Sequence, residues 1–241
     1  MLTRKLCAVA CTVLLLSACS PEQKQTISVS GSSTIAPLMA DIGKRFEALN
    51  PDIHVDVQSG GTSRGIQDVR NGLASIGMAS RALTDAEKDL QAYPLADDGI
   101  ALIVHASNPL TQITGEQVVD IYTGKVTDWS ALGGAAGSVV KVHKAEGRST
   151  LELFLQHFHL DNGDVRPDLV IGDNQQGIKS VAGNPLAIGY VSIGSAEYEA
   201  QQGVPIKLLA LDGKAASSQA ERDGQYPLSR TLNLMVRGAP D

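Results

Sequence analysis

Ile27-Ser28-Val29-Ser30-Gly31-Ser32-Ser33-Thr34-Ile35-Ala36-Pro37-Leu38 passes from a β-branched run through a glycine and three hydroxyls into an apolar-periodic segment. Ile27 to Ser30 is predicted as a strand, and Ile35, Leu38, Ile42 and Phe46 recur at helical spacing within a helix from about Thr34 to Leu49 that Pro51 stops. Two further stretches repeat this strand, cluster, helix order: Gly60-Gly61-Thr62-Ser63-Arg64-Gly65 and Glu146-Gly147-Arg148-Ser149-Thr150. A helix start carries unpaired N–H groups and partial positive charge, so several converging ones would hold a compact oxyanion. Strands alternating with amphipathic segments give an α/β chain.

Between the clusters, Ile53, Val55 and Val57 alternate as a half-buried strand, and a helix from Ser63 to Asn71 is closed by Gly72. Ser75 to Ala79 is a short strand ending in Ser80-Arg81, and Thr84 with Glu87 forms a capping box that should open another helix. Asp97 and Asp98 read as turn residues ahead of an apolar strand from Ile100 to His105. Thr114 with Gln117 caps a helix that Gly124 ends, and Val139 to Val142 leads into the third cluster and a helix from Leu151 to His159. Strands near 169–171, 187–193, 206–211 and 232–236 complete the pattern, with a helix around Gln175 to Val181.

The chain has 241 residues and a formal net charge of −6. An acidic chain with few aromatics is a poor candidate for wrapping nucleic acid, but a small buried anion needs only a local field. At the N-terminus, Arg4 and Lys5 precede an apolar run from Leu6 to Leu16, too short to span a bilayer and flanked like a secretory signal. Leu16-Ser17-Ala18-Cys19 matches a bacterial lipobox, with Cys19 as the lipidated first residue of the mature chain. This reading makes 1–18 a signal peptide and 19–26 a tether, and places the protein in the bacterial cell envelope, facing the periplasm or the cell surface. Cys7 and Cys11 lie in the removed segment, so the mature chain has no intramolecular disulfide.

Each cluster has a plainer explanation as a helix cap. Three hydroxyls after Gly31 exceed what a cap needs. Gly61, Ser63 and Gly65 form a literal G-x-S-x-G, the context of a serine-hydrolase elbow, with His105, His143, His157 and His159 downstream as possible bases. Thr62 and Arg64 beside Ser63 suit an anion better than an acyl pocket. Arg148 is a fixed cation directly before Ser149 and Thr150, able to donate two parallel bonds to an oxyanion, and Arg81 is the second candidate cation. His157 and His159 are two apart on a helix and no other ligands complete a metal set. Trp129 and Tyr122 are read as core residues of a second lobe. No cofactor is expected.

With these residues in place, the chain resembles the phosphate-binding proteins of bacterial ABC uptake systems, the type II periplasmic binding proteins. The likeness is carried by residues 30–37, by Ile76-Gly77-Met78-Ala79-Ser80-Arg81, Asp98-Gly99-Ile100-Ala101, Asn108-Pro109-Leu110, residues 116–124, Trp129 and Ala187-Ile188-Gly189-Tyr190-Val191. It implies two α/β lobes joined by two crossings near 98–104 and 202–210, with phosphate in the cleft. The lobes would be 27–99 with 205–241, and 100–204. By position, the resemblance implies anion contacts from Ser32, Ser33, Thr34, Thr62, Ser63, Ser80 and Arg81. In the third loop the family's Arg-x-x-Gly-Ser-Gly-Thr is altered: Lys144 stands at the arginine and Arg148-Ser149-Thr150 replaces Ser-Gly-Thr. Ser80 stands where some members carry an aspartate that accepts the phosphate proton and rejects sulfate. The function implied is non-enzymatic capture of phosphate, or of sulfate, molybdate or tungstate, for a membrane permease, by a monomer. Family members continue past 232–236 with helices on the first lobe, so an exposed apolar patch and reduced stability are expected there.

Overall fold

The computed structural model describes residues 24–238. The predicted signal peptide, Cys19 and most of the tether lie outside them. Among the described residues no helix is long and apolar enough to cross a membrane.

The first lobe is built on β1 (Gln25–Gly31), β2 (Ile53–Ser59) and β3 (Ile76–Ala79), which pair in parallel in the order β2-β1-β3. Helix α1 (Ala36–Leu49) lies on β2, and α2 (Thr62–Arg70) lies on β1 and β3. Pro37 in the first turn fits α1, where no N–H partner is needed. Gly31, at φ +136, lets β1 pass so close to β3 that a Cβ there would collide with the Met78 carbonyl oxygen. Two small apolar clusters cover the two faces of this sheet: Ile66, Val69, Leu90 and Met235 with their neighbours, and Val29, Ile35, Met39, Met78 and Leu232. On α1, Leu38, Ile42, Phe46 and Leu49 face solvent, while Ile35, just ahead of the helix, and Met39 face the sheet.

The capping box at Thr84 and Glu87 is present but opens only a 3-10 turn, Asp85–Glu87, instead of the expected helix. No apolar stripe follows it, and from Gln91 the backbone is taken up by β4 (Gln91–His105). This 15-residue strand corrects the reading of Asp97 and Asp98 as turn residues. Its first part pairs with β11 (Ser229–Val236), which is antiparallel to both β3 and β4 and sits between them. Its second part, Ile100 to Val104, pairs with β8 (Ala187–Ser192) in the other lobe. One strand thus belongs to both sheets.

The second lobe continues β4-β8-β6-β7, with β6 (Val140–Lys144) parallel to β8 and to β7 (Leu169–Ile171). Around it lie α3 (Gly115–Tyr122), α4 (Ser149–Phe158), α5 (Asn174–Ala182) and α6 (Ile193–Gln201). Helix α6 was hidden in the sequence because its first residue, Ile193, extends the apolar run of β8. A single large core holds the lobe together, including Ile100 to Val104, Ile121, Tyr122, Trp129, Phe154, Ile188 and Tyr190. Fully burying each such side chain contributes about 1.5–3 kcal/mol. The Trp129 and Tyr122 polar atoms donate to the carbonyls of Leu186 and Val142.

The return to the first lobe comes later than the expected 202–210. Strand β9 (Ile206–Leu208) pairs with Ile103 to His105, β10 (Ala210–Leu211) pairs with β5 (Gln112–Ile113), and α7 (Ser218–Arg222) also lies against β4. Ile206, Leu209, Leu211, Tyr226 and Leu228 are buried in the second core, which holds the chain there until Leu228. The two crossings then run side by side, with Ile100 N–H donating to Leu228 O at 2.9 Å and Gly99 opposite Ser229.

Candidate functional site

Helices α1, α2 and α4 begin at the three hydroxyl clusters, and none has a side-chain cap bond at its N-cap position. By contrast, α3, α5, α6 and α7 are capped by Thr114, Asp173, Ser192 and Ser217. Capping is the ordinary way to satisfy the first N–H groups, so uncapped helices at one cleft leave donors for something else. Ser32 is spent on its own turn, accepting from Thr34 N–H at 3.2 Å, and Ser33 is half-buried beside it.

The second and third clusters meet across the cleft. Ser149 Oγ donates to Thr62 Oγ1 at 2.5 Å, and Thr62 Oγ1 also accepts from the Ser80 N–H at 3.1 Å. Ser63 N–H reaches Gly147 O at 3.4 Å. Gly61, at φ +94, makes the approach possible: a Cβ there would lie 2.7 Å from both Gly147 O and Arg148 Cδ.

A second set of contacts forms the cleft floor. Arg230, on β11, donates to Asp98 Oδ2 at 2.9 Å, to Thr34 Oγ1 at 3.0 Å and to Thr150 Oγ1 at 2.9 Å. Asp98 also accepts from Ser192 Oγ at 2.9 Å and from Gly194 N–H at 3.3 Å. Asn174, the first residue of α5, donates to Thr34 Oγ1 at 3.1 Å and accepts from Lys144 Nζ at 3.0 Å. Thr34 and Thr150 are therefore held from opposite lobes by one guanidinium. Arg230, Asp98, Asn174 and Ser192 are all at most 8% exposed, so each polar atom needs the partner it has.

The two candidate arginines differ sharply. Arg81 is bound by both oxygens of Glu87, at 2.7 and 2.9 Å, and by Glu152 across the cleft at 2.8 Å. Its guanidinium is raised above its usual range, mainly by the bond to Glu87. That carboxyl is in turn held at about 2, first by Arg81 and with help from the Thr84 N–H. Arg148 Nε is buried with no hydrogen-bond partner among the described residues. Burial pulls this guanidinium below its usual range, with Asp173 opposing and Arg64 adding to the effect.

Of the residues singled out from the sequence, Thr34, Thr62, Ser63, Ser80, Lys144, Arg148, Ser149 and Thr150 are brought to the cleft by the contacts above, and Arg81 is there but paired. The hydrogen-bonded histidine rings pair with Glu47, Ser107, Asn162 and Tyr190, and none with Ser63. The elbow pattern at Ser63 thus lacks a base within bonding distance among the described residues. His159 closes α4 in the left-handed region and does not share that helix with His157 as expected. Sequence reading missed Arg230, Asp98, Asn174 and Ser192. One signal was available: Asp173-Asn174 opens a helix after a short strand, like the three clusters.

Residues 17–241 match the PBP superfamily domain. The phosphate-binding protein PstS 2 of Streptococcus agalactiae is 39% identical over 108 residues, covering 44% of this chain and 37% of that protein. The chain thus spans little more than a third of that relative's length. The phosphate-binding protein PstS of Pseudomonas aeruginosa is 28% identical over 267 aligned residues, covering 96% of this chain and 80% of its own. Among solved structures, a substrate-binding protein assigned to phosphate ABC transport in Clostridium perfringens, determined with bound phosphate, is similar with a TM-score of 0.80. The two are 31% identical, with 88% of this chain and 86% of that chain covered.

Proposed function

The chain belongs to the PBP superfamily, and from that membership and its cleft we propose that it captures inorganic phosphate outside the cytoplasm and hands it to the permease of an ABC transporter. The observation that carries this reading is the Arg148 Nε, buried without a partner where the uncapped starts of α2 and α4 face each other. A donor left unpaired in a protein interior costs about 1–3 kcal/mol, and an entering oxyanion removes that cost. The relatives named for phosphate supply the anion class. Hydroxyls that now bond each other, Ser149 and Thr62, would turn to the anion, with Ser63, Ser80 and Thr34 completing the donors.

The protein acts by binding and closing, without catalysis. Its two lobes hinge at the paired crossings, and differential contact with the anion favours the closed form. Cys19 carries the lipid that keeps the monomer at the membrane, close to the permease. Calorimetry with phosphate, sulfate, molybdate and tungstate tests the assignment: phosphate should bind at least tenfold more tightly than the others, and equal or tighter sulfate binding would overturn it.

A further inference from the structure

Lys144 ends β6 at the cleft floor and is 2% exposed. Its Nζ donates to Asn174 Oδ1, and Asn174 reaches across to Thr34. The Lys144 N–H is fixed by Tyr190 Oη at 3.2 Å, a hydroxyl that also bonds His143 Nδ1, while His143 Nε2 bonds Asn162 and so is turned to other partners. The charged groups that act on the ammonium come from separate elements: Asp173 ahead of α5, Arg230 on β11 and Arg148 ahead of α4. Asp98 on β4, a buried carboxylate of the floor, is already paired with Arg230. Three cations thus share a cleft in which negative charge is short. Burial brings the Lys144 ammonium down to about 7, Asp173 opposes this, and Arg230 and Arg148 add to it.

Of the three cations, only lysine can shed its proton near neutral pH, because a guanidinium keeps its charge. A dianion placed among them supplies the missing negative charge and restores the ammonium. We propose that Lys144 is the proton-coupling residue of the site: part of it is the neutral amine in the unliganded protein, and it takes one proton from solvent as the anion is enclosed. The step is a simple protonation, amine plus proton giving ammonium, and it makes capture weaken with rising pH in a way that a site of arginines alone would not. This inference rests on the phosphate reading above.

The test is calorimetry of the full-length protein with inorganic phosphate at about pH 8.5, in two buffers of different ionisation heat. Free phosphate is then almost entirely the monohydrogen dianion, so it contributes almost no proton change of its own. The wild-type protein should take up close to one proton per phosphate bound, and K144R at least about 0.7 fewer. Wild-type affinity should fall by nearly tenfold per pH unit above about pH 8, relative to K144R. Should the larger arginine disturb folding, NMR of lysine-labelled wild-type protein replaces it: one lysine resonance titrates near neutrality without phosphate and is held protonated with it. Phosphate binding without proton uptake, equal uptake in K144R, or no lysine resonance titrating near neutrality overturns the proposal. Absence of any phosphate binding overturns instead the reading on which it rests.

Discussion

Arg81 and Arg148 occupy matching places in the sequence, each beside a serine where a strand end or helix start meets the cleft, yet the fold uses them in opposite ways. Arg81 is enclosed by two carboxylates and joins the lobes directly through Glu152. Arg148 is left with a buried, unpartnered Nε. The difference lies in what faces them: the turn at Asp85–Glu87 delivers a carboxylate to Arg81, whereas Arg148 passes over the glycine at 61, which offers only backbone. A cation in a cleft is a ligand group when the protein has withheld its partner, and a clasp when it has not.

Four substitutions can break or sharpen this contrast. The largest effect should come from Arg230→Ala, which strands the buried Asp98 carboxylate and should lower unfolding free energy in urea by about 3–5 kcal/mol. Arg148→Ala should leave the urea midpoint nearly unchanged, since no protein partner is lost, while weakening phosphate binding at least tenfold by calorimetry, the scale of a lost charged hydrogen bond of about 1.5–3 kcal/mol. A large stability loss with intact affinity would make Arg148 a structural residue. For the clasp, the Glu87 carboxyl lies at about 2 in the fold against an ordinary 4.5. Its stabilising contribution is complete above about pH 4.5 and fades as pH falls toward 2. The difference in urea midpoint between wild type and Glu87→Gln should therefore shrink through that window, and a pH-independent difference would show that Glu87 acts by shape. Smallest of all, Glu152→Gln removes a half-exposed partner of Arg81, worth at most about 1 kcal/mol, and should change phosphate affinity by less than about fivefold.

The three clusters were legible because a strand, a glycine and hydroxyls leave a local signature, as did most strands and α1 to α5. What escaped reading was set by distance along the chain. Arg230 and Asp98 are 132 residues apart, and neither has a neighbour that marks it: Asp98 beside Asp97 looks like a turn, and Arg230 lies just ahead of the strand expected at 232–236. Only the antiparallel placement of β11 between β3 and β4 brings them together. The late crossing was hidden for a similar reason, because the apolar residues from Ile206 to Leu228 suit either lobe until β9 is laid on Ile103 to His105. The alteration at Lys144 was visible, but its meaning depended on three charges that the sequence does not place together.

The connection between the lobes has a mechanical consequence. Since β4 runs unbroken from one sheet into the other and is hydrogen bonded to the neighbouring crossing at Gly99, Ile100 and Leu228, the joint is a two-stranded flexure and not a slack tether. Such a flexure bends more easily about one axis than it stretches or shears, so the lobe movement proposed for phosphate capture would bring Thr62 back to Ser149 along a restricted path. Amide protons at the flexure should accordingly exchange with solvent as slowly as those of the second core, with and without phosphate.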